Sequence, residues 1–370
     1  MLASITDPRK ARGRQYLIGF VLAVTVVAVL AGARNYSEIA RRTRDISQGM
    51  LMRLGSEWDW HKRRYRWPSK TVIRSVLTGI DADEMDRIVG KWLFGQSRED
   101  GEGEWEIALD GKVMRGAWTA ENDKVTLFSA VTHRDSVTIA QVSVPAETNE
   151  ITQAGTLLKS LDALGIRAED EVLVTLDAAH TCRETAREIK KRKQLDYLMN
   201  VKGNRPGLQA AVFAKLAPLT REEPGDVIIE RTRGRIRKWS CWIAGADGIT
   251  FPSASQVALI RRDVFEVSGQ PVSKEIALMI TSRKAAKMTA SDVNKNTRNH
   301  WGIENKSHYV RDTVYREDHN QTWAGNGPHA LAITHNLAIS LMRLKGVKAI
   351  KETTEWIAAE RTRALRFMAT

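Results

Sequence analysis

Apolar positions along the chain follow two different periods, one before and one after about residue 100. Up to that point the pattern is helical: an uncharged apolar stretch from Tyr16 to Ala33 is followed by amphipathic segments with apolar residues every three to four positions. Ser37 and Ser69 lie at the starts of two of these segments as candidate N-caps. The sequence therefore predicts an all-α N-terminal domain, residues 1–97, which ends at the acidic, Gly-rich linker SREDGEGE around residues 97–104.

Short apolar runs rich in β-branched residues replace the helical period after the linker. WEIALDGKVMRGA, TLFSAVTHRD and VTIAQVSVPA are three successive strand candidates separated by polar turns. Helical segments then alternate with the strands EVLVTLD and DYLMNVKGN, an order that predicts an α/β fold with a mixed sheet. EVLVTLD is almost continuously apolar, as expected for a central strand that is buried on both faces.

The rest of the chain has a β-rich part and a helical part. Residues from about 226 to 282 are strand-like, with turns such as DG and SGQP between the strands, which indicates an inserted β region. Helical periodicity returns at TASDVNKNTRNHWGIEN and continues in two further amphipathic segments. We therefore expect the first part of an α/β core at 104–225, the inserted β region at 226–284 and a helical completion of the core at 285–370.

The apolar stretch near the N-terminus could also be a signal peptide or a membrane helix. It carries no charge and follows the basic segment DPRKARGRQ. It nevertheless contains Gly19 and Gly32, is rich in valine, and leads directly into the amphipathic pattern NYSEIARRTRDI. We therefore expect a buried helix at about 14–32 in a cytoplasmic protein, with no membrane partner.

The charge balance favours a polyanionic partner, which could be a nucleic acid or an anionic membrane surface. Nucleic acid is the commoner of the two. Lys and Arg number 57 against 44 Asp and Glu, which gives a net charge of +13 and a pI near 9.8. Lys70 and Arg74 lie in a segment that could be the second helix of a helix-turn-helix in a major groove, although any basic helical domain shows a similar pattern. Cys182 and Cys241 form neither a metal nor a disulfide pattern, so a reducing interior is expected.

Two aspartates end apolar strand segments. Asp177 ends EVLVTLD, and because a charge is costly inside such a strand, it is expected at the strand exit, where α/β proteins bind ligands. Asp110 ends another apolar stretch and precedes Gly111, which also fits an ordinary Asp-Gly turn. If the two strands are neighbours in the sheet, the carboxylates converge, and their oxygen atoms suit Mg²⁺ or Mn²⁺.

A third carboxylate would have to come from an element packed beside the strands. The segment TRNHWGIENKSHYVRD offers Glu304, and a solvated helix face is an equally good interpretation of its periodicity. Three carboxylates suit two cations about 4 Å apart, which clamp the attacking and leaving oxygens of a phosphoryl transfer. Polar residues on the same face as Glu304 are His300, His308 and Arg311, and the rival carboxylates are Glu317 and Asp318.

Several basic residues flank the candidate carboxylates in sequence and could grip DNA phosphates. Each of them could equally be an ordinary surface charge. They are Lys112, Arg115, Lys202, Arg205 and Arg311. For Trp118 and His180, which also lie near the two aspartates, we favour a packing or hydrogen-bonding role.

Taken together, these segments resemble the DDE transposases of bacterial insertion sequences, in the H-repeat-associated (ISAs-one) group. The resemblance covers most of the chain, and NHWGIENKSHYVRDTVYRED is long and therefore specific, whereas LDGK alone is weak. The other matching segments are DPRKARGRQY with the apolar helix after it, LDGKVMRGA, TNEIT, LDAAHT, NVKGN and ERTRGRIR.

The resemblance implies an RNase H-like catalytic core with a β insertion, preceded by a helical transposase-associated domain. It implies that Asp110, Asp177 and Glu304 form a catalytic triad that holds two Mg²⁺ or Mn²⁺ ions, because they fall in the LDGK, LDA and HWGIEN segments. The partners that it implies are double-stranded DNA, as terminal inverted repeats and target, and a second copy of the chain in a synaptic complex.

The chain departs from related transposases around the glutamate. Their signature has an arginine four residues before it and a lysine seven after it, where this chain has His300 and Arg311. A hairpin-forming mechanism is therefore not carried over, and the planar guanidinium of Arg311 is not a simple substitute for lysine. The leading interpretation is a metal-dependent transposase that cleaves and joins DNA strands. The alternatives are a metal-dependent nuclease without joining activity and an inactive transposase-derived DNA-binding protein.

Overall fold

Helices dominate the N-terminal part of the chain. The computed structural model describes residues 1–12, 14–97, 104–118, 124–166, 170–320 and 324–368. A small antiparallel sheet, β1 (Trp58–Asp59) with β2 (Arg64–Tyr65), interrupts the helices, so the expectation of an all-α N-terminal domain is not confirmed. The helices before the first long strand are α1 (Ile18–Leu30), α2 (Tyr36–Arg44), α3 (Gln48–Arg53), α4 (Lys70–Gly79) and α5 (Ala82–Ser97).

Side-chain caps fix where two of these helices begin. The Val72 N–H donates to Ser69 Oγ at 3.4 Å, which confirms Ser69 as the cap of α4. The prediction for Ser37 is wrong, because α2 begins after Asn35, whose Oδ1 accepts a hydrogen bond from the Glu38 N–H at 3.0 Å. Asparagine is as good an N-cap as serine, and here it lies two residues earlier.

The helix-turn-helix that the segment with Lys70 and Arg74 could have formed is not present with its usual short turn. Helix α3 ends at Arg53 and α4 begins at Lys70, and the segment between them contains the small β1–β2 sheet. A helix-turn-helix joins its helices by a turn of about three to four residues. Lys70 and Arg74 remain exposed, one turn apart on α4.

Helix α1 is the core of the N-terminal part. All its residues except Gly19 and Ala23 are buried, and it packs against α2, α4 and a helix near the C-terminus, α11 (Gly327–Leu344). A helix that is apolar on every side needs neighbours all round. The prediction of a buried helix is confirmed, and among the residues that the structure describes, no helix is long and apolar enough to span a membrane.

A nine-stranded mixed sheet organises the rest of the molecule, and its first five strands lie in the order β5-β4-β3-β6-β7. Strand β4 is antiparallel to its neighbours β3 and β5, whereas β6 and β7 run parallel to β3. This order fits the RNase H-like core that the resemblance implies. The strands are β3 (Glu104–Trp118), β4 (Lys124–Thr132), β5 (Thr138–Val144), β6 (Glu171–Leu176) and β7 (Leu195–Val201).

Strand β6 is an interior strand of this five-stranded part, between β3 and β7. Leu173 packs in one apolar cluster, whereas Val172 and Val174 pack in the other, so the strand is buried on both faces. The prediction from its continuous apolar sequence is confirmed. The helices that follow the first strands are α6 (Glu150–Asp162), α7 (Arg183–Lys190) and α8 (Pro206–Leu216).

Four antiparallel strands form the segment where an inserted β region was predicted. They do not stand apart from the core, because the last of them pairs edge to edge with β7, with Leu278 opposite Val201. These four strands therefore widen one continuous sheet from five strands to nine. These strands are β8 (Asp226–Thr232), β9 (Arg235–Gly245), β10 (Gln256–Glu266) and β11 (Pro271–Thr281).

The C-terminal helices cover the sheet and close the N-terminal part. Helix α9 packs on β3, β6 and the strands β8–β10, while α11 packs on α5, α1 and β5. The helices are α9 (Ala290–Ile303), α10 (Tyr309–Thr313), α11, α12 (Ile350–Ala359) and α13 (Leu365–Met368). The predicted linker falls mostly on residues 98–103, which lie outside the described residues.

Candidate active site

Asp110 and Asp177 lie side by side on neighbouring strands. Strand β3 runs parallel to β6 with Leu109 opposite Leu176, so the residues that come next, Asp110 and Asp177, stand at the same level of the sheet. Asp177 follows the last residue of β6, as predicted from the apolar strand before it. Asp110 is not in a turn: β3 continues through Gly111, which pairs with Phe128, so the Asp-Gly turn interpretation is wrong.

Backbone amides orient both carboxylates. The Gly111 N–H donates to Asp110 Oδ1 at 2.9 Å. The N–H groups of Ala179 and His180 donate to Asp177 Oδ1 at 3.0 and 3.4 Å. The turn after β6 thus holds the Asp177 side chain at the end of the strand.

Negative charge accumulates around Asp110. Burial, followed by the charges of Asp177, Glu150 and Glu304, raises the pKa of Asp110 to about 7, against the lowering effect of the Gly111 hydrogen bond. Two of these neighbours are the other predicted members of the triad. The charges of Asp177, Glu304 and Glu150 therefore all act on Asp110.

Glu304 enters the cluster from a distorted helical turn. Helix α9 ends at Ile303, and residues Glu304–His308 form a π-helical turn before α10. Such turns are rare and occur often at functional sites. Glu304 is exposed, whereas His308, four residues on, is buried and places Nδ1 3.4 Å from Asp110 Oδ2. Burial lowers the pKa of His308 to about 3, so its imidazole is neutral at pH 7.

His300 takes the place at which related transposases have an arginine. Its Nδ1 lies 2.9 Å from Thr175 Oγ1, which in turn lies 2.8 Å from His133 Nε2. Burial lowers the pKa of His300 to about 4, although the nearby Asp177 opposes the shift. A neutral imidazole cannot supply the positive charge of an arginine, so this chain lacks that cation at position 300.

The donor chemistry of the cluster suits divalent metal ions. Carboxylate oxygens are the ligands that Mg²⁺ and Mn²⁺ prefer, and burial, followed by the charges of other carboxylates, raises the pKa of Asp110. Within the described ranges, no group of three or more His, Cys, Asp or Glu side chains is arranged so that it could hold a metal ion. The residues fit such ions by their chemistry and charge.

Two of the predicted phosphate-binding residues are turned inward. Arg311 is completely buried, with its Nη2 2.7 Å from Glu317 Oε2, so the expectation that it contacts phosphate is wrong. Lys112 is also buried, and its Nζ lies 2.5 Å from Asp312 Oδ1 and 3.8 Å from Asp318 Oδ1. Both side chains are therefore paired with carboxylates of the same chain.

The same contacts remove Glu317 as a rival third carboxylate. Burial would raise its pKa, but the charge of Arg311 and a hydrogen bond with His335 lower the pKa to about 2. The His335 Nδ1 lies 2.9 Å from Glu317 Oε1. A carboxylate that is buried and paired in this way has no oxygen left for a metal ion. Asp318, the other rival, is occupied by Lys112 and Arg115.

The other predicted basic residues are exposed. The loop that carries Lys202 and Arg205 packs on the turn after Asp177: Arg205 Nε donates to Thr181 O at 3.0 Å, and Asn204 Nδ2 donates to Ala178 O at 2.6 Å. Arg115 lies at the surface with Nε 3.7 Å from Asp318 Oδ2. Together with Lys70 and Arg74 on α4, these side chains are free to meet solvent.

Sequence reasoning missed Glu150. It begins helix α6, and the Asn149 side chain caps that helix by accepting from the Thr152 N–H at 3.2 Å. The segment TNEIT was recognised only as part of the family resemblance, although an Asn cap before a glutamate could have marked a helix start beside the sheet. His180, for which a packing role was favoured, stacks on Phe128 with ring centroids 4.7 Å apart. Trp118 has the Lys124 ammonium 5.8 Å from its ring centroid.

Comparisons with known proteins agree on the family. The profile of the transposase DDE domain matches residues 101–341, and the profile of the segment associated with that domain matches residues 1–93. The transposase-type protein YncI of Escherichia coli O157:H7 is 28% identical over 357 residues, which are 92% of this chain and 86% of that protein. The H repeat-associated, transposase-type protein YhhI of Escherichia coli K12 is 25% identical over 355 residues, 92% of this chain and 89% of that protein.

Among solved structures, a piggyBac transposase synaptic complex with hairpin DNA matches with a TM-score of 0.43 and 11% identity, covering 95% of this chain and 71% of that one. A likeness at this level carries no weight beside the sequence profiles. The profile of the DDE domain spans well over half of the chain, from before Asp110 to beyond Glu304. The chain therefore belongs to the family of proteins with a transposase DDE domain.

Proposed function

We propose that this protein is an insertion-sequence transposase that cleaves DNA at the ends of its element and joins the free strands to target DNA. The observation that carries the proposal is the cluster of Asp110, Asp177 and Glu304, which come from two neighbouring strands and the helix beside them. Burial, together with the charges of Asp177, Glu150 and Glu304, raises the pKa of Asp110 to about 7, which supports the proposal. Family membership supports the same assignment.

In this proposal Asp110, Asp177 and Glu304 hold two Mg²⁺ or Mn²⁺ ions. When bound, such ions activate an attacking water or 3′-hydroxyl and stabilise the departing oxygen. The protein's part is to fix the carboxylates before metal arrives. The Gly111 N–H holds Asp110, and the backbone N–H groups of Ala179 and His180 hold Asp177, and in both aspartates the amides bind Oδ1 and not Oδ2.

Exposed cations beside the cluster are proposed to bind the DNA backbone. Lys202 and Arg205 lie on the loop that packs against the Asp177 turn, and Arg115 lies on β3 beyond Asp110. Lys70 and Arg74 form a second basic site on α4. The substrates are double-stranded DNA, as terminal inverted repeats and target, and synapsis of two ends calls for a homodimer on DNA.

Single substitutions of the three carboxylates test the proposal. Asp110→Ala, Asp177→Ala and Glu304→Ala are each expected to abolish Mg²⁺-dependent cleavage of a DNA fragment that contains an element end, while gel-shift binding of that fragment stays within about twofold of wild type. Glu352→Ala, an exposed glutamate in the first turn of α12, is the matched control and retains cleavage. Full cleavage in all three active-site variants would overturn the assignment.

The products of the wild-type reaction decide between transposase and its alternatives. Joined products with target DNA support the transposase. Cut ends without joined product under every condition would instead indicate a nuclease. Binding of end DNA with neither cleavage nor carboxylate-dependent binding of Mn²⁺ in calorimetry would indicate a DNA-binding protein without catalysis.

A further inference from the structure

We propose that Glu150 is a fourth carboxylate of the active site, held in place by His180, and that it strengthens the binding of divalent cations there. The inference rests on the proposed function, because it concerns the same cluster. It adds a residue from a third part of the core, the start of helix α6.

The space above Gly111 is occupied by the Glu150 carboxylate. A methyl group at Gly111 would lie 1.7 Å from Glu150 Oε1 and 2.1 Å from its Cδ, far inside van der Waals contact. No left-handed backbone requires glycine at this position, since Gly111 lies within strand β3 opposite Phe128 and is not among the glycines with positive φ. The glycine next to Asp110 therefore leaves room for a second acid group.

His180 fixes this carboxylate from the other side. Its Nε2 lies 3.3 Å from Glu150 Oε2, and the side chain is completely buried. The His180 ring stacks at 11° on Phe128, the residue that pairs with Gly111. The backbone N–H of His180 donates to Asp177 Oδ1. His180 therefore connects Glu150, through its ring, to Asp177, through its backbone.

Position and exposure favour a role in binding. The Glu150 side chain is 29% exposed, so its carboxylate is open to solvent. Its charge is among those that act on Asp110. Lys112, the nearest cation along β3, is turned to Asp312 and Asp318 and does not neutralise the group. An additional carboxylate supplies negative charge and oxygen ligands, and therefore strengthens the attraction for a divalent cation.

Isosteric substitution separates this role from a structural one. Glu150→Gln keeps the shape and the contact with His180 but removes the charge. We expect the affinity for Mn²⁺, measured by calorimetry on the full-length protein without DNA, to fall by between about tenfold and a hundredfold. The unfolding temperature without metal should stay the same or rise, because repulsion with Asp110 is relieved. Glu147→Gln, an exposed glutamate just before α6, is the matched control and keeps wild-type affinity.

Two further variants test the positioning. Gly111→Ala leaves the charge of Glu150 but forces its carboxylate to move, and should weaken Mn²⁺ binding as Glu150→Gln does. His180→Phe keeps a ring on Phe128 and loses the hydrogen bond, whereas His180→Gln restores a donor. We expect weakened Mn²⁺ binding in His180→Phe and recovered Mn²⁺ binding in His180→Gln. A purely structural role of His180 would not produce this pattern.

The outcomes distinguish this inference from the proposed function. If Mn²⁺ binding depends on Asp110 and Asp177 but is unchanged in Glu150→Gln, the fourth carboxylate is refuted and the triad stands. If no carboxylate affects Mn²⁺ binding, the proposed metal site itself fails. A lowered unfolding temperature of Glu150→Gln without metal, together with unchanged Mn²⁺ affinity, would assign Glu150 to the folding of α6 alone.

Discussion

The buried pair of Arg311 and Glu317 allows a quantitative prediction about stability. Arg311 on α10 contacts Glu317 through Nε and Nη2, both at 2.7 Å from Oε2, and both side chains are almost completely inaccessible to solvent. His335 on α11 holds the other carboxylate oxygen and stacks on Tyr315 with ring centroids 4.4 Å apart. The perturbation is Arg311→Met, which keeps much of the stem and removes the charge.

The expected magnitude follows from the partner that is left behind. The pKa of Glu317, lowered in the fold from 4.5 to about 2, corresponds to about 3 kcal/mol of folding free energy at neutral pH. Because the folded pKa is the lower one, this stabilisation is present above the unfolded pKa and is lost as the pH falls from about 4.5 toward 2. Arg311 is only one of the groups that lower this pKa, so the loss expected for its removal is taken from buried ion pairs in general, where removing one partner costs about 3–5 kcal/mol.

Urea unfolding at pH 7, followed by tryptophan fluorescence, measures this effect. Arg311→Met should lower the free energy of unfolding by about 3–5 kcal/mol, and Glu317→Gln should do so by a similar amount because it strands a buried guanidinium. The double variant Arg311→Met/Glu317→Gln should be much less destabilised than the sum of the two, since neither charge is left unpaired. A loss below about 1 kcal/mol in Arg311→Met, or strictly additive losses in the double variant, would refute the reasoning.

Three other predictions concern different parts of the molecule. In helix α5, Gly90→Ala should destabilise the fold strongly, because a methyl group there would lie 2.1 Å from Ile139 O. Gly95→Ala, where a methyl group would meet nothing within 4 Å, should instead stabilise the fold by up to about 1 kcal/mol. Equal shifts of the unfolding temperature in the two variants would contradict this. Burial raises the pKa of Asp86 to about 7, so the charged form opposes folding and stability falls as the pH rises from the pKa of the unfolded chain toward 7. Asp86→Asn should therefore raise the urea midpoint more at pH 8 than at pH 5. An equal gain at the two pH values would count against this prediction. Lys202→Ala and Arg205→Ala should each weaken binding of end DNA and reduce the slope of log K against log salt by about one, while Lys351→Ala on α12 leaves the slope unchanged.

Local sequence patterns predicted elements that depend on local rules. The continuous apolar run of β6 predicted a central strand with Asp177 at its exit, and both features are present. The change from helical to strand periodicity near residue 100 also matches the structure. These features follow from burial and periodicity, which are written in neighbouring residues.

Contacts between distant segments were not predictable in the same way. The Asp-Gly pair at 110–111 has the composition of a turn, and only the pairing of Gly111 with Phe128 and the approach of Glu150 explain why it lies within a strand. Arg311 has the spacing of a residue on the face of Glu304. It turns inward because Arg316, with φ at 50°, reverses the chain and brings Glu317 back against α10. Periodicity does not show which charges find a buried partner.

Helix α1 also has a consequence for the order in which the chain is made. It is complete by residue 30, but it packs on α11, which begins at residue 327, and its Val29 carbonyl accepts a hydrogen bond from Tyr315 Oη at 3.3 Å. At a synthesis rate of about 5–20 residues per second, a nascent chain exposes this apolar helix without its C-terminal partners for roughly 15–60 seconds. During that time the helix has the composition of a membrane helix, and its apolar side chains need another binding partner to shield them from water. Expression of residues 1–97 alone would make this exposure permanent.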